Sequence, residues 1–277
     1  MSMAINNNLS AVNANNKLAA NKSSVRKASE KIASGQRINK AADDAALLAI
    51  SEKLRGQIRG FAQAINNAND GISLIQTAEG GLDGTHSALQ RMRELSVQAS
   101  NGTLGETERA AIQLEMNQLR SEVDRIASAT NYNGKKLLDG SLGEGEGMTF
   151  QVGASGAEDQ RVSFNIRDMR SGALGIADAS VLSRGAANMS IEAFDNAISA
   201  VSSQRADLGS IQNRLEVTVN NLTTSQENLI ASESRIRDAD MALELLNLTK
   251  GNIMQQAAQA MLAQAKNAPQ QVAALFG

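Results

Sequence analysis

Apolar residues recur every seven positions in two long stretches of the chain. The first stretch places them at Leu47, Leu54, Phe61, Ala68, Ile75, Leu82 and Leu89. The second places them at Phe194, Val201, Leu208, Leu215, Leu222, Leu229, Ile236 and Leu243. In the first stretch, further apolar residues follow at a spacing of four, at Ile58, Ile65 and Ile72. An apolar seam of this kind is typical of a helix packed against other helices, so the pattern predicts two long heptad helices.

Local residues indicate where these helices begin, end or bend. Asp43 and Asp44 suit the start of the first helix, because carboxylates accept hydrogen bonds from the free N–H groups there. Ser190 is the expected cap of the second helix. Gly80-Gly81 and Gly84 lower helix propensity, so we expect a kink or short break in the first helix, which otherwise runs to about Ala99.

Weaker amphipathic stripes lie at both ends of the chain. The N-terminal stripe ends near Ser34-Gly35 and consists of Ala11, Leu18, Val25 and Ile32. The C-terminal stripe follows Asp238-Ala239-Asp240 and includes Leu246, Ile253, Met254, Ala257, Met261 and Leu262. Neither stripe can bury itself alone. We therefore expect the two ends to pair and to leave apolar surface that partner molecules cover.

The centre of the chain has a different pattern. A further 3-4 stripe predicts a helix over 106–129, and turn residues follow it. Apolar and polar residues then alternate over 148–152 and 162–166, which predicts a short β-hairpin. The predicted fold is mainly α. Long antiparallel helices from the N- and C-terminal regions form a coiled-coil bundle, and the hairpin is a small insert within about 141–190.

Composition and charge narrow the class of protein. The chain has one Pro and six aromatic residues, which favours long helices with thin aliphatic seams over a thick enzyme core. Its 27 basic and 29 acidic residues argue against a nucleic-acid partner. No apolar run is long enough to span a membrane. The first eight residues lack the features of a cleavable Sec signal peptide, and the absence of Cys excludes disulfides and thiolate sites.

Candidate chemical groups are few. His86 is the single His, whereas a zinc protease motif needs two His and a Glu on one helix. Asp43-Asp44 fits a helix cap better than an acid–base pair. Gly143, Gly145 and Gly147 follow no strand, so they indicate a linker and not a phosphate-binding loop. We predict no catalytic, cofactor-binding or metal-binding residue, and an enzyme is the least supported class.

Both terminal regions resemble bacterial flagellins. In the N-terminal region the resemblance lies in 5–11 (INNNLSA), 33–46 (ASGQRINKAADDAA), 48–51 (LAIS) and 71–80 (GISLIQTAEG). In the C-terminal region it lies in 205–215 (RADLGSIQNRL) and 232–242 (SESRIRDADMA). The resemblance covers nearly the whole chain outside 141–190. Leu47, where the family usually has Gly, and the tail from Val272 depart from the family pattern.

The resemblance implies an extracellular filament subunit that polymerises for motility. Its inner domain would comprise residues 1–42 with 242–277, and its helical-bundle domain would comprise 43–241, with no separate outer domain. The implied inner packing residues are Leu9, Leu18, Val25, Ile32, Leu246, Ile253 and Met261. The implied bundle packing residues are Leu54, Phe61, Ile75, Leu208, Leu215, Leu222 and Leu229.

The resemblance also implies partners other than further copies of the chain. These are the hook–filament junction and cap proteins, an export chaperone and the flagellar type III export apparatus, which would export the unfolded chain without a cleavable signal peptide. Residues 89–97 resemble the segment that Toll-like receptor 5 detects, with Arg91, Leu95 and Glu115 as implied contacts. Two alternatives stay open at this point: a hook–filament junction protein that forms only a short collar, and a soluble immune ligand or adhesin module.

Overall fold

The computed structural model describes residues 8–143 and 147–276, and the side chains of those up to residue 267. Residues 5–7 of the flagellin-like motif and Gly145 of the predicted linker lie outside the described residues. The helices are α1 (Leu9–Ser34), α2 (Ala45–Ala99), α3 (Glu106–Ala129), α4 (Arg184–Arg237) and α5 (Met241–Phe276). The strands are β1 (Asn131–Tyr132), β2 (Lys135–Lys136), β3 (Met148–Gln151) and β4 (Arg161–Phe164). This arrangement confirms the mainly α prediction.

Helix caps explain most of the element boundaries. The Asp44 carboxylate accepts hydrogen bonds from the backbone N–H groups of Ala46 and Leu47 at the start of α2, as the sequence predicted. The Gly35 backbone, with φ of 69°, ends α1 in the left-handed conformation that suits glycine. The prediction that Ser190 caps α4 is wrong. Instead, the Ser183 Oγ accepts a hydrogen bond from the Ala186 N–H, so the cap of α4 lies seven residues earlier.

The expected break at Gly80-Gly81 is also wrong, because α2 continues through this segment without interruption. Gly81 lies where another part of the chain comes close. A Cβ at this position would be 2.6 Å from the Thr130 Oγ1 and 2.9 Å from the Leu138 Cδ1. The missing side chain therefore permits close packing at this point of the helix.

The chain divides into two compact units, one of Met1–Gly56 with Asn228–Gly277 and the other of Gln57–Glu227. The predicted domain limits at residues 42 and 242 concern layers of a filament and stay a prediction. In the Gln57–Glu227 unit, ion pairs from Arg205 to Glu79 and Asp83 and from Arg93 to Asp195 show that α2 and α4 run antiparallel. The core of this unit includes Leu82, Leu89, Met92, Met116, Val123, Phe194 and Val201.

Two small antiparallel hairpins belong to this unit. The predicted hairpin is confirmed, with β3 and β4 paired in antiparallel register from Met148 opposite Phe164 to Gln151 opposite Arg161. The Phe150 and Phe164 rings stack with their centroids 5.3 Å apart. A second hairpin, β1–β2, turns at Asn133-Gly134, where both residues have positive φ. This is the backbone that a two-residue type I′ turn requires.

Candidate assembly interface

Helices α1 and α5 pair along their length in antiparallel orientation. The Asn8 side chain donates a 2.7 Å hydrogen bond to the Ala265 carbonyl, and the Asn21 side chain donates one of 3.1 Å to the Met254 carbonyl. Further along, the Lys31 ammonium contacts the Glu244 carboxylate at 3.2 Å. Partners late in α5 meet residues early in α1, so the two ends of the sequence form one helical pair.

Small side chains bring the two helices close. A Cβ on Gly251 would be only 2.8 Å from the Val25 Cγ2, so the absence of a side chain there allows the contact. Ala28 and Leu18 are the buried residues of α1. On α5 the half-buried positions follow a 3-4 spacing, which identifies the face toward α1 as Glu244, Leu248, Gly251, Gln255, Ala258, Leu262 and Ala265.

A second side of α5 carries large apolar side chains that are exposed. Leu246, Ile253 and Met261 are 69%, 62% and 65% exposed, and no side chain from residue 241 to residue 267 is buried. The segment 251–265 contains no charged residue. A surface of large exposed apolar side chains marks a site of interaction with another molecule. Helix α5 thus has one face toward α1 and a second apolar face toward solvent.

The predicted inner packing residues divide between these environments. Leu18 is buried, Val25 and Ile32 are half-buried, and Leu9, Leu246, Ile253 and Met261 are exposed. Sequence reasoning did not single out Leu248 or Ala258, which face α1. Because both faces of α5 are apolar, hydrophobicity alone could not separate them. The 3-4 spacing that starts at Glu244 was the signal that could have done so.

Residues 35–38 and 236–239 cross at one end of the α1–α5 pair, and hydrogen bonds hold this crossing together. The Arg37 N–H donates a 2.7 Å hydrogen bond to the Arg237 carbonyl, and the Ala239 N–H donates one of 3.0 Å to the Gly35 carbonyl. The largely buried Arg237 guanidinium donates to the Gln36 Oε1 at 3.0 Å and to the Glu52 Oε1 at 2.6 Å. The hydrogen bond from Arg237 is the main reason that the pKa of Glu52 lies below its usual value. The sequence motifs contain this arginine but did not indicate its role.

The predicted bundle packing residues lie on the inner sides of their helices. Ile75, Leu208 and Leu215 are fully buried. The others are half-buried, namely Leu54, Phe61, Leu222 and Leu229.

The three implied receptor contacts lie in two different environments. The Arg91 Nε donates a 2.9 Å hydrogen bond to the Glu115 Oε1, and both side chains are about half exposed. That hydrogen bond is the main reason that the pKa of Arg91 lies above its usual value. Leu95, in contrast, is only 2% exposed and belongs to the core. Arg91 and Glu115 therefore form a surface pair that joins α2 to α3, whereas Leu95 is buried.

Groups that could support chemistry are not gathered together in the described residues. The His86 Nε2 lies 2.9 Å from the Gln90 Nε2, one helical turn away. Among residues 8–143 and 147–276, no group of three or more His, Cys, Asp or Glu could hold a metal ion. In the same part of the chain, no helix is long and apolar enough to cross a membrane. The prominent surface feature is the apolar face of α5.

Comparisons with known proteins agree over the whole chain. Residues 5–142 match the family model of the bacterial flagellin N-terminal helical region, and residues 191–276 match that of the C-terminal helical region. A flagellin of Bacillus subtilis is 49% identical over 99% of this chain and 100% of its own length. The flagellar filament 33 kDa core protein of Treponema phagedenis is 47% identical with the same coverage.

Solved structures give the same result for the fold. The crystal structure of a Bacillus cereus flagellin is 32% identical, with a TM-score of 0.51 over 61% of this chain and 94% of that one. Bacillus cereus FlgL is 18% identical, with a TM-score of 0.52 over 66% of this chain and 99% of that one, and it shows likeness of fold alone. With both terminal regions matched and relatives aligned end to end, this chain belongs to the bacterial flagellin family.

Proposed function

We propose that this flagellar filament subunit polymerises by placing the exposed face of α5 against further copies of the chain, and that the filament serves motility. The observation that carries the proposal is the lack of any buried side chain over 241–267, in a helix rich in Leu, Met and Ala. Leu9, near the start of α1, is equally exposed. One helical partner covers only part of this apolar surface, and neighbouring subunits would cover the rest.

The energetics favour a polymer over an isolated pair of helices. Burial of a Leu, Ile or Met side chain contributes roughly 1.5–3 kcal/mol. Leu246, Ile253 and Met261 thus supply a substantial favourable term each time a subunit joins. Since every subunit repeats the contact with its neighbours, many such contacts would resist the torque on a rotating filament.

A pair of charge substitutions tests the proposal. The double variant combines Leu246→Asp with Ile253→Asp. Both altered side chains are solvent-exposed in the single chain, so we expect the helical content and melting temperature of the monomer to stay close to those of the wild type. Elongation on filament seeds should fail, with the critical concentration raised at least ~100-fold, because two carboxylates would be desolvated at the contact. Electron microscopy and sedimentation measure this outcome.

The matched control adds the same charge elsewhere on α5. Asn252 and Gln256 are exposed and lie outside the row of Leu246, Ile253 and Met261. The variant Asn252→Asp with Gln256→Asp should elongate within a few-fold of wild type. If the Leu246 and Ile253 variant elongated as well as this control, the proposed contact would be wrong.

The same assay separates a filament subunit from a hook–filament junction protein. A junction protein would form a short collar and would not elongate seeds, whereas we propose sustained growth. We propose the junction and cap proteins, an export chaperone and the type III export apparatus as partners, with export of the chain in an unfolded state. The end-to-end likeness to flagellins supports this set of partners.

Recognition by Toll-like receptor 5 is a separate proposal that rests on Arg91 and Glu115. Their half-exposed ion pair offers polar groups to a partner, while Leu95 holds the helix in position from the core. Replacement of Arg91 by Ala should lower receptor signalling by soluble monomer and leave filament growth intact. Unchanged signalling would remove Arg91 from the contact.

A further inference from the structure

Methionine is the side chain of this chain most open to mild oxidation. The sequence contains no Cys and no Trp, and it contains ten Met. A thioether is converted to a sulfoxide by peroxides, and the product is polar where the original side chain was apolar. Which methionines react depends on which sulfur atoms solvent can reach.

The methionines of the described residues differ widely in their exposure to solvent. Met92, Met116 and Met169 belong to the core of the Gln57–Glu227 unit and are at most 2% exposed. Met254 and Met261 lie on α5 and are 46% and 65% exposed. The two are seven residues apart, so they lie on one side of the helix, beside Leu246 and Ile253.

We infer that Met254 and Met261 form a peroxide-sensitive modification site that controls assembly. A sulfur lone pair attacks one oxygen of hydrogen peroxide, and an S–O bond forms as the O–O bond breaks. The proton of the attacked oxygen passes to the second oxygen, which leaves as water. The sulfur loses two electrons and the peroxide gains them. Subunits are oxidised before they join the filament, and subunits within the filament are protected.

The effect on assembly rests on the proposed function. The segment 251–265, which carries Met254 and Met261, has no charged residue. A sulfoxide oxygen buried there without a hydrogen-bond donor opposes association, and each one raises the critical concentration by about tenfold. Methionine sulfoxide reductases restore the thioether at the expense of a dithiol, which makes the change reversible.

The experiment treats dilute full-length monomer with hydrogen peroxide and follows each methionine by peptide mass spectrometry. Sulfoxide should form at Met254 and Met261 at least ~10-fold faster than at Met92, Met116 and Met169. In filaments formed before treatment, the two α5 methionines should react slowly. Oxidised monomer should not elongate seeds, and treatment with sulfoxide reductases and dithiothreitol should restore growth.

Two matched variants locate the effect. Met254→Leu with Met261→Leu keeps the side-chain volume but removes both sulfur atoms, so the elongation rate of this variant should be the same before and after peroxide. Met189 and Met241 are also exposed, so the control Met189→Leu with Met241→Leu should assemble normally and remain peroxide-sensitive. Equal sensitivity of both variants would overturn the assignment, as would normal elongation by wild-type subunits oxidised at Met254 and Met261. Failure of untreated wild-type protein to polymerise would instead refute the proposed function.

Discussion

At the residue scale, the glycines of α2 mark places where other parts of the Gln57–Glu227 unit touch the helix. A Cβ on Gly60 would be 2.7 Å from the Ala154 Cβ, and one on Gly71 would be 3.0 Å from the Phe150 ring. Gly81 lies against Thr130 and Leu138 in the same way. Gly80, its neighbour, has no atom within 4 Å of the added carbon. Two adjacent glycines in one helix therefore have opposite structural roles.

Substitution of these two glycines by Ala should change stability in opposite directions. Gly80→Ala should raise the free energy of unfolding by about 1 kcal/mol, since Ala favours the helix over Gly. Gly81→Ala should lower it by roughly 1–2 kcal/mol, because overpacking against the branched Thr130 side chain exceeds the propensity gain. Urea unfolding of the monomer measures both values. Stabilisation by Gly81→Ala would show that the close approach at Thr130 and Leu138 is not present in solution.

At the element scale, the crossing of residues 35–38 and 236–239 ties four helices of the Met1–Gly56 and Asn228–Gly277 unit together. The crossing joins the end of α1 and the start of α5 to the ends of α2 and α4 that lie in this unit. Arg237 is the shared contact, since its guanidinium reaches both Gln36 and Glu52. A buried guanidinium that loses its carboxylate partner keeps a positive charge without a nearby negative charge, which destabilises the folded state. The crossing should therefore depend on the charge of Glu52.

Neutralisation of Glu52 should make this unit less stable in a pH-dependent manner. The folded-state pKa of Glu52 lies below its usual value, so its stabilising effect is complete above about pH 4.3 and is lost as pH falls through the folded pKa. Glu52→Gln should lower the melting temperature at pH 7, and the difference from wild type should disappear in acid. Circular dichroism across pH would record this.

Glu122 provides the control for that prediction. It pairs with Arg125 within one helix, on an exposed surface, and its pKa is also lowered by that arginine. Exposed pairs of this kind contribute little to stability, so Glu122→Gln should change the melting temperature less than Glu52→Gln. If the two variants lowered the melting temperature equally at pH 7, the charge of Glu52 would not be important for the contact with the buried Arg237.

At the scale of the whole molecule, the two compact units differ in how completely they bury their helices. Large side chains of the Gln57–Glu227 unit, among them Leu82, Leu89 and Phe194, are fully buried. In the other unit, α1 buries only Leu18 and Ala28, and α5 buries no side chain up to residue 267. Local opening is easiest where few apolar contacts must break.

Hydrogen exchange should therefore distinguish the units in dilute monomer. Backbone amides of α1 and α5 should exchange at least ~100-fold faster than those of α2 around Leu82 and Leu89. After polymerisation, amides of α5 should become strongly protected, because subunit contacts would cover the exposed face. Strong protection of the α1 and α5 amides from exchange in a dilute monomer would contradict the expectation that these helices need partner molecules to become stable.

The hydrophobic spacing by itself determined the helical character of the chain and most of its elements. The heptads located α2 and α4, the shorter stripes located α1, α3 and α5, and the alternating segments located β3 and β4. These features are periodic and local, so a single amino-acid sequence is enough to predict them. The residue motifs also identified the family, because they are long and present at both ends.

Only the tertiary structure decided the role of particular residues within those elements. Gly81 was expected to break α2, and it proves to admit Thr130 and Leu138. Leu246 and Leu248 are equally apolar, yet one faces solvent and the other faces α1, since packing direction depends on a partner helix far away in the sequence. The role of Arg237 was equally hidden, because Gln36 and Glu52 reach it only after the chain has folded back on itself. Contacts between distant residues carry no local period, which is why the sequence alone could not reveal them.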